Sequence, residues 1–137
     1  MERPILSPIN SSVQDLDTPA LVVDRDNITA NQESFSRTIT GGAEKLVPDV
    51  SVHGSVGIAL IQTDGIRESQ VYCGNLPTAE IFSEHGFSNL AITLPAPNGE
   101  SLSRVLSLAA VSSLNVSISN SHNLDKLAFA AQESDSE

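Results

Sequence analysis

The sequence has few cysteines, few basic residues and no long apolar run, and each shortage excludes a class of protein. Cys73 is the only cysteine among 137 residues, so no intramolecular disulfide and no metal site built on several thiolates is expected. The chain has only 7 Lys and Arg but 17 Asp and Glu. Sequence-independent nucleic-acid binding is therefore not expected, because it needs basic side chains that neutralise phosphates. No stretch approaches the ~20 apolar residues of a membrane span, and the first residues lack a signal-peptide pattern. We therefore expect a cytoplasmic protein with neither nucleic-acid nor membrane partners.

The remaining composition is that of an ordinary globular protein, with 39% hydrophobic and 18% charged residues. A chain of this length buries one modest core, which predicts one domain. Residues 1–14 are rich in Pro, Ser and Asn and predict a loose lead-in, whereas residues 132–137 predict an unstructured acidic tail. The domain is expected between them, over residues 15–131.

Short apolar runs alternate with helical patterns throughout the domain. Strands are predicted at 19–23, 45–53, 71–75, 89–94 and 114–119. The helices that follow are predicted to start at Asp24, Ser55, Pro77, the Asn98-Gly99 turn and Ser121. Such alternation predicts β-α-β units and an α/β fold with a parallel sheet, its 89–94 strand buried on both faces. Because a closed (β/α)8 barrel takes ~250 residues, the four β-α units after the first strand and helix predict either a partial TIM-type barrel or an open parallel sheet.

The 45–55 segment is where polar side chains follow the strand pattern. Asp49, Ser51 and His53 are expected on one face, ~6 to 7 Å apart, with the two intervening valines on the other. This trio suggests a Ser/His/Asp hydrolase site, but nucleophile and base must approach within ~2.6 to 3.2 Å, which a flat strand rarely allows. We therefore favour polar residues that line the mouth of a barrel.

The other chemically active side chains are expected to have structural roles. Cys73, beside Tyr72 in a strand, predicts a buried and inert thiol because no base is near in sequence. His85 precedes Gly86 at a helix end and is expected to cap it, while His122 is expected at the surface. Three separated histidines do not have the spacing of a zinc site.

Several stretches, taken in order and spacing, carry a resemblance that covers residues 15–130. They are residues 17–24 with Asn31, residues 50–55, residues 79–80 with 84–87, and residues 96–98 with 102–108. Together they resemble the N-terminal part of the pyridoxal-phosphate-dependent D-threonine aldolase and D-serine dehydratase family, whose barrel is of the alanine racemase type. The resemblance implies a partial alanine-racemase-type barrel over residues 15–131.

In that family the strand ends in a segment close to Arg-Pro-His-Val-Lys-Thr-His-Lys-Ser, whose first lysine forms the Schiff base with the cofactor. The matching positions here are Pro48, Val50, His53 and Ser55, while Val47, Asp49, Ser51, Val52 and Gly54 differ. Ser51 occupies the lysine position, and a hydroxyl cannot condense with an aldehyde to give an imine. The resemblance thus implies that Ser51 and His53 border a pyridoxal phosphate site without covalent attachment, and that no catalytic residue or metal ligand is present.

Neither of the two lysines is expected to replace the missing one. Lys45 precedes the strand, on the face of a barrel that serves stability, and Lys126 lies about two turns into the last helix. Ser119 likewise stands where the family commonly carries an aspartate.

Three hypotheses follow. The first is a shortened, inactive relative of the pyridoxal-phosphate-dependent D-amino-acid lyases. The second is a non-catalytic binding or regulatory protein that pairs with itself or with a full-length homologue, because an incomplete barrel leaves unpaired strand edges. The third is a truncated or drifted gene product without a stable fold.

Overall fold

The computed structural model describes residues 10–39 and 46–134, which form an α/β domain. The helices are α1 (Arg25–Ser36), α2 (Val56–Gln62), α3 (Leu76–Glu84), α4 (Gly99–Ala109) and α5 (Ser121–Ser134). The strands are β1 (Val71–Gly74), β2 (Asn89–Thr93) and β3 (Ser113–Ser117). Within the described residues, short 3-10 turns lie at Val13–Asp15 and Val50–Val52.

The three strands form one parallel sheet in the order β1-β2-β3, and a helix connects each strand to the next. In the centre, Leu90 pairs with Val71 on one side and with Leu114 on the other. This confirms the predicted α/β class and the open parallel sheet. The described residues do not form a barrel.

The hydrophobic core lies between one face of this sheet and the helices. Leu90 and Ile92 of β2 are fully buried, because every second side chain of a strand points to the same face. The residues that pack around them from β1, α3 and α4 are Val71, Cys73, Leu76, Ala79, Phe82, Val105 and Leu108. The Phe82 ring meets that of Phe87 with centroids 5.3 Å apart. Two aromatic rings thus fill the space between α3 and the sheet.

The described residues do not bury the opposite face of the sheet in the same way, so the predicted burial of residues 89–94 on both faces is wrong. Burial along β2 alternates strictly, and Asn89, Ala91 and Thr93 are only half-buried. Consecutive right-handed crossovers in one direction place their helices on the same side of a sheet, which explains the difference. The Tyr72 hydroxyl shares a hydrogen bond of 2.8 Å with that of Thr93 across this face.

The predicted strand at 19–23 is also wrong. These residues form no regular structure, and the Leu21 side chain is 95% exposed. A short extended run needs a neighbouring strand to satisfy its backbone, and the described residues supply none here. Asp24 caps α1 as predicted, since its carboxylate accepts the N–H groups of Asp26 and Asn27. Helix α1 nevertheless buries no side chain in the core.

The last helix differs slightly from the prediction at both ends. The Asn120 side chain, and not Ser121, accepts the N–H of Asn123 at 2.9 Å. Helix α5 continues to Ser134, so the first part of the predicted acidic tail is helical, while residues 135–137 lie outside the described residues. Asn123 also donates from its side chain to the Pro95 carbonyl, which attaches α5 to the end of β2.

Helices α3 and α4 are joined by a two-pronged ion pair at their outer surface. The Arg104 guanidinium donates to the two Glu80 carboxylate oxygens at 2.8 and 2.5 Å. These hydrogen bonds hold the pKa of Glu80 below its ordinary value. The pair therefore stabilises the fold above the carboxyl group's unfolded pKa, and that contribution is lost as the pH falls through the lowered pKa.

We predict that Glu80→Gln destabilises the protein near neutral pH and that its deficit shrinks in acid. Urea unfolding of both proteins from about pH 7 to about pH 3 measures this, because protonation removes the same charge that the substitution removes. Glu84→Gln, one turn further along α3, is the matched control. Stability curves that stay parallel for native protein and Glu80→Gln across that range contradict the prediction.

Candidate functional site

The segment that resembles the cofactor-lysine strand, residues 47–55, is called the Ser51 segment and lies beside the outer edge of β1. The Tyr72 N–H donates to the Pro48 carbonyl at 2.9 Å, and Asp49 forms a single parallel bridge with Tyr72. After Asp49 the chain turns into the 3-10 turn Val50–Val52. The predicted strand at 45–53 is therefore wrong: one bridge replaces it, and residue 45 lies outside the described residues.

The Asp49 carboxylate caps the 3-10 turn that follows the bridge. Its Oδ1 accepts the backbone N–H of Ser51 at 3.0 Å and the Ser51 hydroxyl at 2.6 Å. Such local side-chain bonds compete with strand pairing. Asp49 and Ser51 thus touch, instead of lying 6 to 7 Å apart on one face. The alternation of the valines fails as well, since Val50 is fully buried and Val52 is 84% exposed.

His53 is tied to the start and the end of α2. Its Nδ1 accepts the backbone N–H of Ser55 at 3.0 Å, which leaves Nε2 as the protonated nitrogen, and Nε2 donates to Oε1 of Gln62 at 3.1 Å. The Ser55 hydroxyl caps α2 as predicted, by accepting the N–H of Ile58. Both ring nitrogens are therefore occupied, and His53 makes no hydrogen bond with Ser51 or Asp49. A Ser/His/Asp triad is not assembled.

Ser51 sits against the C-terminal end of β1. A Cβ atom added to Gly74, the last residue of β1, would lie 2.8 Å from the Ser51 Cβ. Gly74 also has a φ of +72°, in the left-handed region that disfavours residues with a side chain. Glycine at this position thus lets the 3-10 turn close onto the strand.

We predict that Gly74→Ala lowers the free energy of unfolding by about 1 to 3 kcal/mol, through the positive φ and the clash with Ser51. Equilibrium urea unfolding measures the loss. Gly99→Ala is the control, because a Cβ at Gly99 meets no atom within 4 Å and Gly99 opens helix α4. Equal losses for the two variants would count against a specific close approach at Gly74.

Cys73 is fully buried, as predicted, between the sheet and its helices. Burial raises the pKa of the thiol to about 11, and the Asp49 carboxylate adds to the rise. The thiolate is the nucleophilic form of cysteine, so this side chain is inert near neutral pH.

We predict that Cys73 in the native protein reacts with a thiol reagent at least a hundredfold more slowly than in the unfolded chain. The shift of the pKa from 9.0 to about 11 alone lowers the thiolate population about a hundredfold near pH 8, and burial slows access further. The absorbance of the leaving group that a chromogenic disulfide reagent releases, with and without denaturant, measures the two rates.

The same shift has a consequence at high pH. The unfolded chain releases the thiol proton first, so stability declines as the pH rises from about 9 towards 11. Cys73→Ala lacks this component of the decline and is the control. Fast labelling of native protein, or equal alkaline losses in both proteins, contradicts a buried neutral thiol.

Other potential sites are separate from the Ser51 segment. A cleft of about 920 Å³ between α1 and α2 is lined by residues that include Arg25, Glu33 and Asp64, but neither Ser51 nor His53 lines it. Among the described residues no group of three His, Cys, Asp or Glu side chains is arranged to hold a metal ion. None of the described helices is both long and apolar enough to cross a membrane.

The remaining histidines have the predicted positions. Nδ1 of His85 bonds the Ile81 carbonyl at 2.8 Å at the end of α3, and His122 is exposed on α5. The Lys126 side chain is exposed on α5, and Lys45 lies outside the described residues.

The Ser51 segment does not fit covalently bound pyridoxal phosphate. Attachment needs a lysine amine, and the Ser51 hydroxyl is a hydrogen-bond donor already directed at Asp49. The sequence prediction did not include the Asp49–Ser51 contact. The sequence feature that could have predicted this contact is the order Pro-Asp-x-Ser at residues 48–51, because an aspartate side chain commonly starts a turn by accepting the N–H two residues further on.

No protein-family model matches the sequence, and no curated protein matches it. The likeness to the D-threonine aldolases and D-serine dehydratases therefore rests on the residues quoted from the sequence alone.

Proposed function

We propose that this protein is a non-catalytic relative of the pyridoxal-phosphate-dependent D-amino-acid lyases, and that its β-α units correspond to those of a barrel of the alanine racemase type. The observation that carries the proposal is the position of Ser51. The residue aligned with the family's Schiff-base lysine lies against Gly74, at the C-terminal end of a parallel strand. Active sites of β/α barrels are built at that end of the strands.

The chemistry of the segment supports the absence of catalysis. Ser51 has no amine, and its hydroxyl is bonded to Asp49 at 2.6 Å. His53 has both nitrogens engaged and is not free to act as a base towards a ligand at Ser51. When bound, pyridoxal phosphate supplies an electron sink for carbanions, and the lysine normally supplies both the attachment and the proton transfer. Neither contribution is available from Ser51.

We predict that the native protein, incubated with pyridoxal phosphate and reduced with borohydride, gains no stoichiometric adduct on any single lysine. Ser51→Lys restores the amine at the C-terminal end of β1 and gains a specific adduct at the introduced side chain. Intact-mass measurement followed by peptide mapping reads both results.

Val52→Lys is the matched control, because Val52 is the adjacent residue and its side chain is 84% exposed. A stoichiometric adduct on one lysine of the native protein would overturn the claim that the protein is non-catalytic. If Ser51→Lys gains no more adduct than Val52→Lys, this end of the sheet is not a cofactor site and the proposed relationship fails.

A second candidate function is a non-catalytic binding or regulatory protein that pairs through a sheet edge. The observation that favours it is the edge of β3, which no strand among the described residues covers. Parallel sheets in α/β proteins are usually extended or covered, since an open edge presents unpaired backbone groups.

A further inference from the structure

The two edges of the sheet are not equivalent. The outer edge of β1 is occupied by the chain itself, through the Pro48 carbonyl and the Asp49 bridge. Strand β3 pairs with β2 along its whole length, from Asn89–Ser113 to Thr93–Ser117, and is the last strand of the described sheet. Among the described residues, the β3 edge is thus the one without a backbone partner.

The backbone groups that β3 directs outward follow from its hydrogen bonds with the β2 side. The Ser113 N–H donates to the Ser88 carbonyl, and the Ser117 carbonyl accepts the Leu94 N–H. In a parallel ladder, alternate residues direct both backbone groups to the same neighbour. Ser113, Asn115 and Ser117 therefore face β2, whereas the N–H and C=O groups of Leu114 and Val116 point away from the sheet.

Strand β3 itself carries no charged side chain and no proline, and no described strand pairs with its outer edge. Proteins block edges with charged side chains, with proline or with a covering element. Residues 105–124 contain no Asp, Glu, Lys, Arg or Pro, and they form the longest such stretch of the chain. Because the whole protein has a net charge of -10, two copies repel each other over most of their surfaces. Strand β3 lies in the middle of the segment where this repulsion is weakest.

We infer that the β3 edge binds a second copy of this chain, as an antiparallel β3–β3 pair about a two-fold axis that passes through Asn115. In this register Leu114 of one copy lies opposite Val116 of the other, and the two residues exchange both backbone hydrogen bonds. The two-fold axis repeats the exchange, which satisfies all the outward groups of both residues. The two three-stranded sheets become one six-stranded sheet.

A second copy is the occupant because the edge is complementary to itself in this register, and an isologous contact closes at two subunits. The inference deepens the second candidate function and rests on it. It is independent of the cofactor experiment, whose outcome concerns the end of β1.

The register provides a sharp test. The two Asn115 side chains face each other as a non-hydrogen-bonded pair, in which the Cα atoms approach to ~4.5 Å. Asn115 is exposed in the single chain, so a charge there is tolerated by the fold. We predict that native protein is a dimer by light scattering and sedimentation. Asn115→Glu and Asn115→Lys each weaken the dimer about fivefold or more, because like charges then face each other.

An equimolar mixture of Asn115→Glu and Asn115→Lys is expected to restore a dimer that contains one copy of each, since opposite charges then meet. Restoration also shows that both variants are folded. Gln132→Glu and Gln132→Lys, at an exposed position of α5, are the matched controls and keep the native dimer.

Three results overturn the inference: a native protein that is monomeric throughout, an oligomer that grows beyond two copies, or single variants that dimerise as well as native protein. Circular dichroism of each variant confirms that a lost dimer is not a lost fold.

Discussion

The structure depends on the burial of one face of a parallel sheet under α3 and α4. Leu90 and Ile92 in the central strand contribute fully buried side chains, and Phe82 and Phe87 fill the space between them and the helices. Removal of apolar surface from water is the main force that can hold so small a domain together. An element that contributes a side chain to this core is held in place by it. Val50, for example, anchors the turn before α2.

Elements outside this layer behave differently. Helix α1 has a complete Asp24 cap but buries no side chain, and the apolar residues before it remain exposed. A capping bond contributes about 1 kcal/mol and determines where a helix starts, but it does not attach the helix to a core. Among the described residues, none pairs with the outer edge of β3, and the side chains on the second face of β2 are only half-buried.

At the candidate site, local hydrogen bonds override the strand pattern. Asp49 binds Ser51, and His53 binds Ser55 and Gln62, so the polar residues serve the turn between the sheet and α2. The side chain at the C-terminal end of β1 is therefore a short hydroxyl held by a neighbouring carboxylate. This arrangement is that of a structural turn, because each polar group of Asp49, Ser51 and His53 that bonds within the segment holds the backbone or a neighbouring side chain.

The sequence by itself determined the α/β class, the three apolar strands, the caps of α1 and α2 and the burial of Cys73, because apolar periodicity and capping side chains act over a few neighbouring residues. It also identified Ser51 as the residue to examine. Only the tertiary structure decided which apolar runs pair, which face of the sheet is covered and where the Asp49 segment turns. Those outcomes depend on neighbours distant in the chain. Residues 19–23 have strand-like composition but no strand partner among the described residues, and Ser51 meets β1 only because residue 74 is a glycine.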